Sequence, residues 1–144
     1  MSVNIHSKKV ELIKTDGGEI TKLLNGDLSF LKEVYVTSID HNSVRAWKQH
    51  QKMTLRISVL FGCVKFIFFE DLKSIKENIK SKSMILNSED PKILEVPPGI
   101  WFGFKGLGKG KNLIINLADH IHTEDEVIRV LPNIFEDQLK ILLE

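Results

Sequence analysis

The chain has one cysteine, Cys63, so no intramolecular disulfide can staple it. Cys63 sits in an apolar run and reads as a small core residue rather than a nucleophile. No segment approaches membrane-spanning length. The opening MSVNIHSKKVELIK has no apolar run of signal-peptide size, and the expected compartment is the cytoplasm. An excess of one charge is also missing: 20 Lys+Arg against 19 Asp+Glu leave a formal net charge of +1. That balance supplies no global field for nucleic acid or for a membrane surface. A local lysine excess between Lys73 and Lys82 is interspersed with acids and reads as a solvated face. There is no internal repeat and no low-complexity segment. These absences leave one domain over residues 1–144, long enough to bury a core without staples.

What is present centres on Val44 to Glu70, VRAWKQHQKMTLRISVLFGCVKFIFFE. A tryptophan beside a basic, His-containing cluster precedes two apolar runs joined at Phe61-Gly62. Leu55, Ile57, Val59 and Phe61 alternate with Arg56, Ser58 and Leu60, the period of a strand. After Gly62, Val64, Phe66 and Phe68 alternate with Cys63, Lys65, Ile67 and Phe69, and both faces are nearly apolar. So dense a run of β-branched and aromatic residues predicts strands buried on both sides, and Gly62 argues against a helix.

The other segments supply further strands. KKVELIKT and EITKLL flank Asp16-Gly17-Gly18, a hairpin signal because glycine accepts the positive φ of a tight turn. LKEVYVTSI alternates Val34, Val36 and Ser38 against Tyr35, Thr37 and Ile39. LKSIKENIKSKS reads as a loop or a weak helical turn or two. Two short strands flank Ser88–Pro91, and Pro97-Pro98-Gly99 must break a ladder because two amide donors are missing. Gly106-Leu107-Gly108-Lys109-Gly110 lacks the Lys-Ser/Thr of a phosphate loop and reads as a hairpin turn. LIINLA, 113–118, is another strand, and the apolar positions after Thr123 fit a short C-terminal helix. The predicted fold is all-β, a jelly-roll barrel or sandwich with a short C-terminal helix.

The generic metal pattern of such folds is His-x-His, a following Glu and a His after a Pro-x-Gly bend. Here those positions hold Lys48-x-His50, Thr54 or Leu55, and Phe102. A lone His does not hold a transition metal, so no metal and no other cofactor is expected. The segment LNSEDPKILEVPPGIWFGF, Leu86 to Phe104, is similar to L-S-x-E-N-x-x-x-L-x-I-P-P-G-x-x-H-G-F. The segment is thereby similar to the signature of the dTDP-4-dehydrorhamnose 3,5-epimerase family of cupins, sugar-nucleotide epimerases of deoxysugar and surface-polysaccharide biosynthesis, and the resemblance implies a cupin-type jelly roll. Val44 to Val64 is similar to that family's L-R-G-L-H-x-Q entry strand and the strand pair after it. With Asp16-Gly17-Gly18, the resemblance covers most of the chain.

The resemblance implies a dTDP-linked 4-keto-6-deoxyhexose as ligand, and a homodimer. It makes Arg45 the arginine that contacts the nucleotide's phosphates. The family's catalytic histidine aligns with Lys48, and His50 lies two residues on. The family's active-site lysine aligns with Leu55, with Arg56 adjacent; its histidine after the bend is Phe102, and its early arginine is Gly17. Its acid tyrosine has no counterpart, since Tyr35 lies early; that region offers Asn116, His120 and His122 instead.

Epimerisation beside a ketone needs a base of near-neutral pKa and a donor for the developing enolate. Histidine meets the first need unperturbed, whereas Lys48 would need its pKa lowered by burial or by a neighbouring cation such as Arg45. The expected catalytic residues are therefore His50 and Lys48. The expected substrate-binding residues are Arg45 and Arg56 on phosphate, with Trp47, Trp101 and Asn116. Each indole is equally readable as a stacking platform or as a core or interface residue, and Arg56 as a partner of Glu95 or Glu70. Two functions stay open: an epimerase or ketoisomerase, and a sugar- or nucleotide-binding protein without chemistry. They part at the cavity, where Arg45, Lys48 and His50 either converge or give way to a plug of Leu55 and Phe102.

Overall fold

The computed structural model describes residues 3–70 and 80–144. In chain order its strands are β1 (His6–Lys9), β2 (Glu11–Thr15), β3 (Gly18–Lys22), β4 (Glu33–Asp40), β5 (Val44–His50) and β6 (Leu55–Phe61). They continue with β7 (Cys63–Phe69), β8 (Ser81–Asn87), β9 (Lys92–Val96), β10 (Trp101–Gly106), β11 (Lys111–Ala118) and β12 (Val127–Arg129), and the chain closes with helix α1 (Glu136–Leu143). Two five-stranded sheets result, ordered β1-β9-β6-β11-β4 and β12-β5-β10-β7-β8. The hairpin β2–β3 pairs only with itself. Most of the predicted LKSIKENIKSKS segment, residues 72–79, lies outside the described residues, and its closing Ser81-Lys82-Ser83 belongs to β8 and not to a loop or helical turn.

The alternation within each strand builds the interior. Leu55, Ile57 and Val59 of β6 and Ile114 of β11 face Val64, Phe66 and Phe68 of β7 and Phe102 and Phe104 of β10 across one core. The second sheet also carries apolar residues on its outer face, as the β7 sequence requires. There Ile67, Phe69, Trp47 and Trp101 pack beneath Leu142 of α1, with Phe135 and Leu139 beside them. Each fully buried aromatic or aliphatic side chain contributes about 1.5–3 kcal/mol relative to exposure. Lys65 and Lys105 reach up from the sheet and donate to the carbonyls of Ile141 and Leu143 at the helix end, where cations suit the helix dipole.

Of the two alternatives, barrel or sandwich, the described residues form the sandwich: only an isolated bridge between His41 and Gly106 joins the two ladders. Three other sequence readings need correction. KKVELIKT is two strands, not one. The chain leaves the sheet at Val10, whose N–H turns to the carbonyl of Pro91, so β1 pairs with β9 and β2 with β3. Phe61 does not share the inward face of Val59; the β6–β11 register slips between Leu113 and Ile114 and turns it to solvent. The glycine-rich 106–110 stretch is no hairpin turn, because β10 and β11 lie in different sheets.

That crossing is held by Asn112, which has no solvent-exposed surface. Its Oδ1 accepts from the N–H groups of Cys63 at 2.9 Å and Gly108 at 3.1 Å. Its Nδ2 donates to the carbonyls of Ile39 at 3.1 Å and Gly108 at 3.0 Å. One side chain thereby ties the end of β4, the β6–β7 turn and the 106–110 crossing. Gly62 in that turn has φ +88°, and a Cβ there would lie 2.1 Å from the Asn112 carboxamide oxygen, so glycine is required twice over.

Candidate functional site

A strand alternates its side chains, so Arg45 and Lys48, three apart, belong on opposite faces of β5. The structure puts them on the same face. On β10, Phe102 pairs with Lys48 and Phe104 with Arg45, so Ala46 and Trp47 together oppose the single residue Gly103. This is a β-bulge, which re-aims the side chains beyond it. Gly103 makes room for it: a Cβ would stand 2.6 Å from the Trp47 ring and 2.9 Å from the Cβ of Ala46.

Arg45, Lys48 and His50 therefore line one cavity of about 240 Å³ together with Tyr35, Thr37 and Glu33 of β4, His122, and Arg129 of β12. Its volume lies below the about 300–1,000 Å³ usual for sites of drug-sized ligands and suits one sugar ring. Below it Leu55, Ile57, Phe66, Phe102, Phe104 and Ile114 leave only about 20 Å³. Both anticipated features are thus present, the polar convergence above and the apolar plug beneath. A second hollow of about 460 Å³ lies along Val44–Lys48 and Arg129–Pro132 and shares Arg45, Lys48 and Arg129 with the first.

The environments of the two candidate bases differ. His50 is 3% exposed and its ring stacks on Phe102 at 6.1 Å. Burial, with Lys48 adding repulsion, lowers its pKa to about 4, so the imidazole is neutral at pH 7. Its Nδ1 lies 3.7 Å from Oε1 of the buried Glu126. Burial works to raise the Glu126 pKa, yet it lies below the usual value because the N–H groups of Lys52 and Met53 donate to the carboxylate, at 2.9 and 2.6 Å. The last residue of β5 is fixed as well: Gly99 in the Pro97-Pro98-Gly99 bend donates its N–H to the His50 carbonyl at 2.9 Å.

Lys48 Nζ stands 5.2 Å from the centroid of Phe102 and 5.5 Å from that of Phe104. Burial, reinforced by Arg45 and Arg129, brings its pKa down to about 8. Among the described residues no carboxylate comes within 4.0 Å of it. Tyr35 stays protonated, its pKa raised by burial, and its hydroxyl meets Nδ2 of Asn116. Asn116 is buried and lines the floor, and among the described residues its Oδ1 has no hydrogen-bond partner.

Three expected ligand contacts lie elsewhere. Trp47, 1% exposed, is in the outer-face cluster under α1 and donates its indole N–H to the carbonyl of Pro132 at 2.9 Å. Trp101 pairs with Phe69 on that same face and is also buried. Neither offers a free ring face to a base, because the helix covers that side. Arg56 points out from the first sheet, 3.6 Å from Glu95 and 3.8 Å from Asp119, with its guanidinium over Phe30 at 4.3 Å. His120 pairs with Asp119 at 2.8 Å, whereas His122 reaches the cavity. Tyr35, Glu126 and Arg129 were missed. The β4 alternation, which groups Tyr35 with Thr37 and Ile39 on one face, carried a signal for Tyr35; nothing local marked the other two.

No protein-family model and no curated protein matches the chain. Solved structures do match, and they define a class of architecture, that of enzymes described as sugar-nucleotide isomerases and epimerases. A dTDP sugar isomerase from Desulfovibrio desulfuricans G20 superposes with a TM-score of 0.80 at 24% identity, over 88% of this chain and 83% of that one. A 3,4-ketoisomerase variant from Thermoanaerobacterium thermosaccharolyticum, in complex with TDP-4-keto-6-deoxyglucose, matches over 100% of both chains with a TM-score of 0.73 and 23% identity. The dTDP-4-dehydrorhamnose 3,5-epimerase of Bacillus anthracis, with TDP and PPi bound, gives a TM-score of 0.74 at 18% identity over 89% of this chain and 79% of that one. At these identities the likeness is one of fold.

Proposed function

We propose that the protein is an enzyme of deoxysugar biosynthesis that moves protons beside the ketone of a dTDP-linked 4-keto-6-deoxyhexose, as a 3,5-epimerase or a related ketoisomerase. The observation that carries this reading is the convergence of Arg45, Lys48 and His50 on one cavity. His50 is neutral, and the buried Glu126 carboxylate 3.7 Å from its Nδ1 would support the imidazolium it becomes. Among the described residues Lys48 has no carboxylate partner, and its amine is placed to meet the reacting carbonyl. Tyr35, held protonated beside Asn116, is the donor candidate from the β4 side. Arg45 and Arg129 at the rim suit the diphosphate. The names of the matching structures support the nucleotide-sugar class.

Incubation in D2O with dTDP-4-keto-6-deoxyglucose, followed by NMR at the carbons flanking the ketone, tests it. Enzyme-dependent exchange is expected, and His50→Ala should slow it by about 100-fold or more, the usual contribution of a general base. Leu55 and Phe102 in the cavity floor favour a second reading, a nucleotide-sugar-binding protein without chemistry. Saturable dTDP binding with no exchange would establish that instead. We further propose a homodimer. Among the described residues the β2–β3 hairpin has no partner strand, and an isolated hairpin is marginal in water. Val34 and Val36 on β4 are half exposed. Light scattering on the purified chain reads the mass directly.

A further inference from the structure

Lys48 is placed differently from every other lysine described. It lines the cavity of about 240 Å³, the hollow of about 460 Å³ and the apolar floor alike. Two phenyl rings flank its amine, 5.2 and 5.5 Å away, and two guanidinium groups, Arg45 and Arg129, stand on the same cavity wall. The other titratable groups around that cavity are Glu33 and Tyr35 from β4, His50 from β5 and His122. None of them forms an ion pair with Lys48 among the described residues. The lysine thus meets the rules for an amine nucleophile: apolar flanks, neighbouring cations and no counter-ion.

We propose that Lys48 acts covalently, its Nζ forming an imine with the carbonyl carbon of a phosphate-bearing substrate held by Arg45 and Arg129; under the functional reading above, on which this rests, that carbon is the sugar ketone. The neutral amine adds to the carbonyl carbon and gives a carbinolamine. Its oxygen takes up protons, from Tyr35 or solvent, and leaves as water, so a protonated imine remains. His50 removes a proton from the adjacent carbon, and the C–H electron pair moves into the ring-carbon double bond of an enamine. Reprotonation at that carbon and addition of water to the imine carbon return the ketone and the free amine. The step needs no oxidant or reductant.

The chemistry also resolves a mismatch within the site. A histidine lowered to about 4 is available at any ordinary pH but is a weak base. A carbon beside a protonated imine is far more acidic than one beside a ketone, so a weaker base suffices. The amine's lowering to about 8 from the ordinary 10.5 keeps about 300 times more of it neutral at pH 7 than for an exposed lysine.

Reductive trapping tests the proposal. The full-length protein is incubated at pH 7 with cyanoborohydride and either dTDP-4-keto-6-deoxyglucose or pyridoxal 5′-phosphate, then mapped by peptide mass spectrometry. An adduct on Lys48 equal to the ligand mass less one oxygen, absent from Lys48→Arg and formed at least tenfold faster than on other lysines, is expected with both probes. Trapping by pyridoxal phosphate alone, with no deuterium exchange in the keto-sugar, supports the imine-forming lysine and sinks the nucleotide-sugar reading. Exchange without any keto-sugar adduct overturns the covalent role and leaves that reading intact. No Lys48 adduct with either probe overturns it outright.

Discussion

Replacing Asn112 by alanine should cost the protein about 4 kcal/mol, a large share of the about 5–15 kcal/mol that stabilises a domain of this kind. The carboxamide makes four hydrogen bonds in a site without solvent, to Cys63, Ile39 and twice to Gly108. Each is worth about 1 kcal/mol net. The assay is urea denaturation followed by the fluorescence of Trp47 and Trp101, both buried beneath α1. With a slope of about 2 kcal/mol per molar, the midpoint should fall by about 2 M. Asn112→Asp discriminates further: it keeps both acceptors for Cys63 and Gly108 but sets a carboxylate against two carbonyl oxygens. Its deficit should therefore shrink as the pH drops far enough to protonate the new side chain. A midpoint shift below about 0.5 M for Asn112→Ala would show that the crossing is held by the ladders and not by this side chain.

Gly103→Ala should lose about 2 kcal/mol or more by overpacking, since its Cβ meets the Trp47 ring at 2.6 Å, and a near-neutral effect in the same denaturation would refute the space argument. His50 predicts an acid-side loss. Its folded pKa of about 4 lies below the ordinary 6.5, so the unfolded chain takes the proton first and stability falls as the pH drops from about 6.5 towards 4, by about 3 kcal/mol in full. That component should be missing from His50→Gln when the two pH profiles are compared. Lys48→Met should stabilise the fold at pH 7 by about 1–3 kcal/mol, because a charge held between Phe102 and Phe104 is replaced by an apolar chain. A lower melting temperature for that variant would contradict the burial argument.

The strands were legible because hydrophobic alternation is strong in this chain. The turn at Asp16-Gly17, the break at Gly62 and the bend at Pro97-Pro98-Gly99 fall where their backbone chemistry put them. The apolar double face of β7 announced its second covering layer, which proved to be α1. What alternation could not give was any departure from alternation. The bulge at Ala46-Trp47 and the slip near Leu113 each break the period, and with it the expected facing of Arg45, Trp47 and Phe61. Of the residues lining the cavity, the family resemblance of Val44 to Val64 singled out Arg45, Lys48 and His50. Nothing marked Glu126 and Arg129, because β12 meets β5 through pairing of residues 77 or more apart in sequence, as in the register of Val127 with His50. Arg56 and the tryptophans were drawn to the site by proximity along the chain, which a strand face does not respect.

The bulge on β5 also bears on how such a site changes over generations. At an ordinary position, altering what a side chain faces takes a new side chain. Here the facing of Arg45 depends on a count, two residues of β5 against the one residue of β10. Loss of Ala46 would turn Arg45 away from the cavity without touching a single cavity residue. Gain of a residue beside Gly103 would have the same result from the opposite strand. Sequences that differ by one residue in this stretch can therefore share every residue of the site and still differ in what the cavity holds, and an alignment that slides a gap across it would hide the difference.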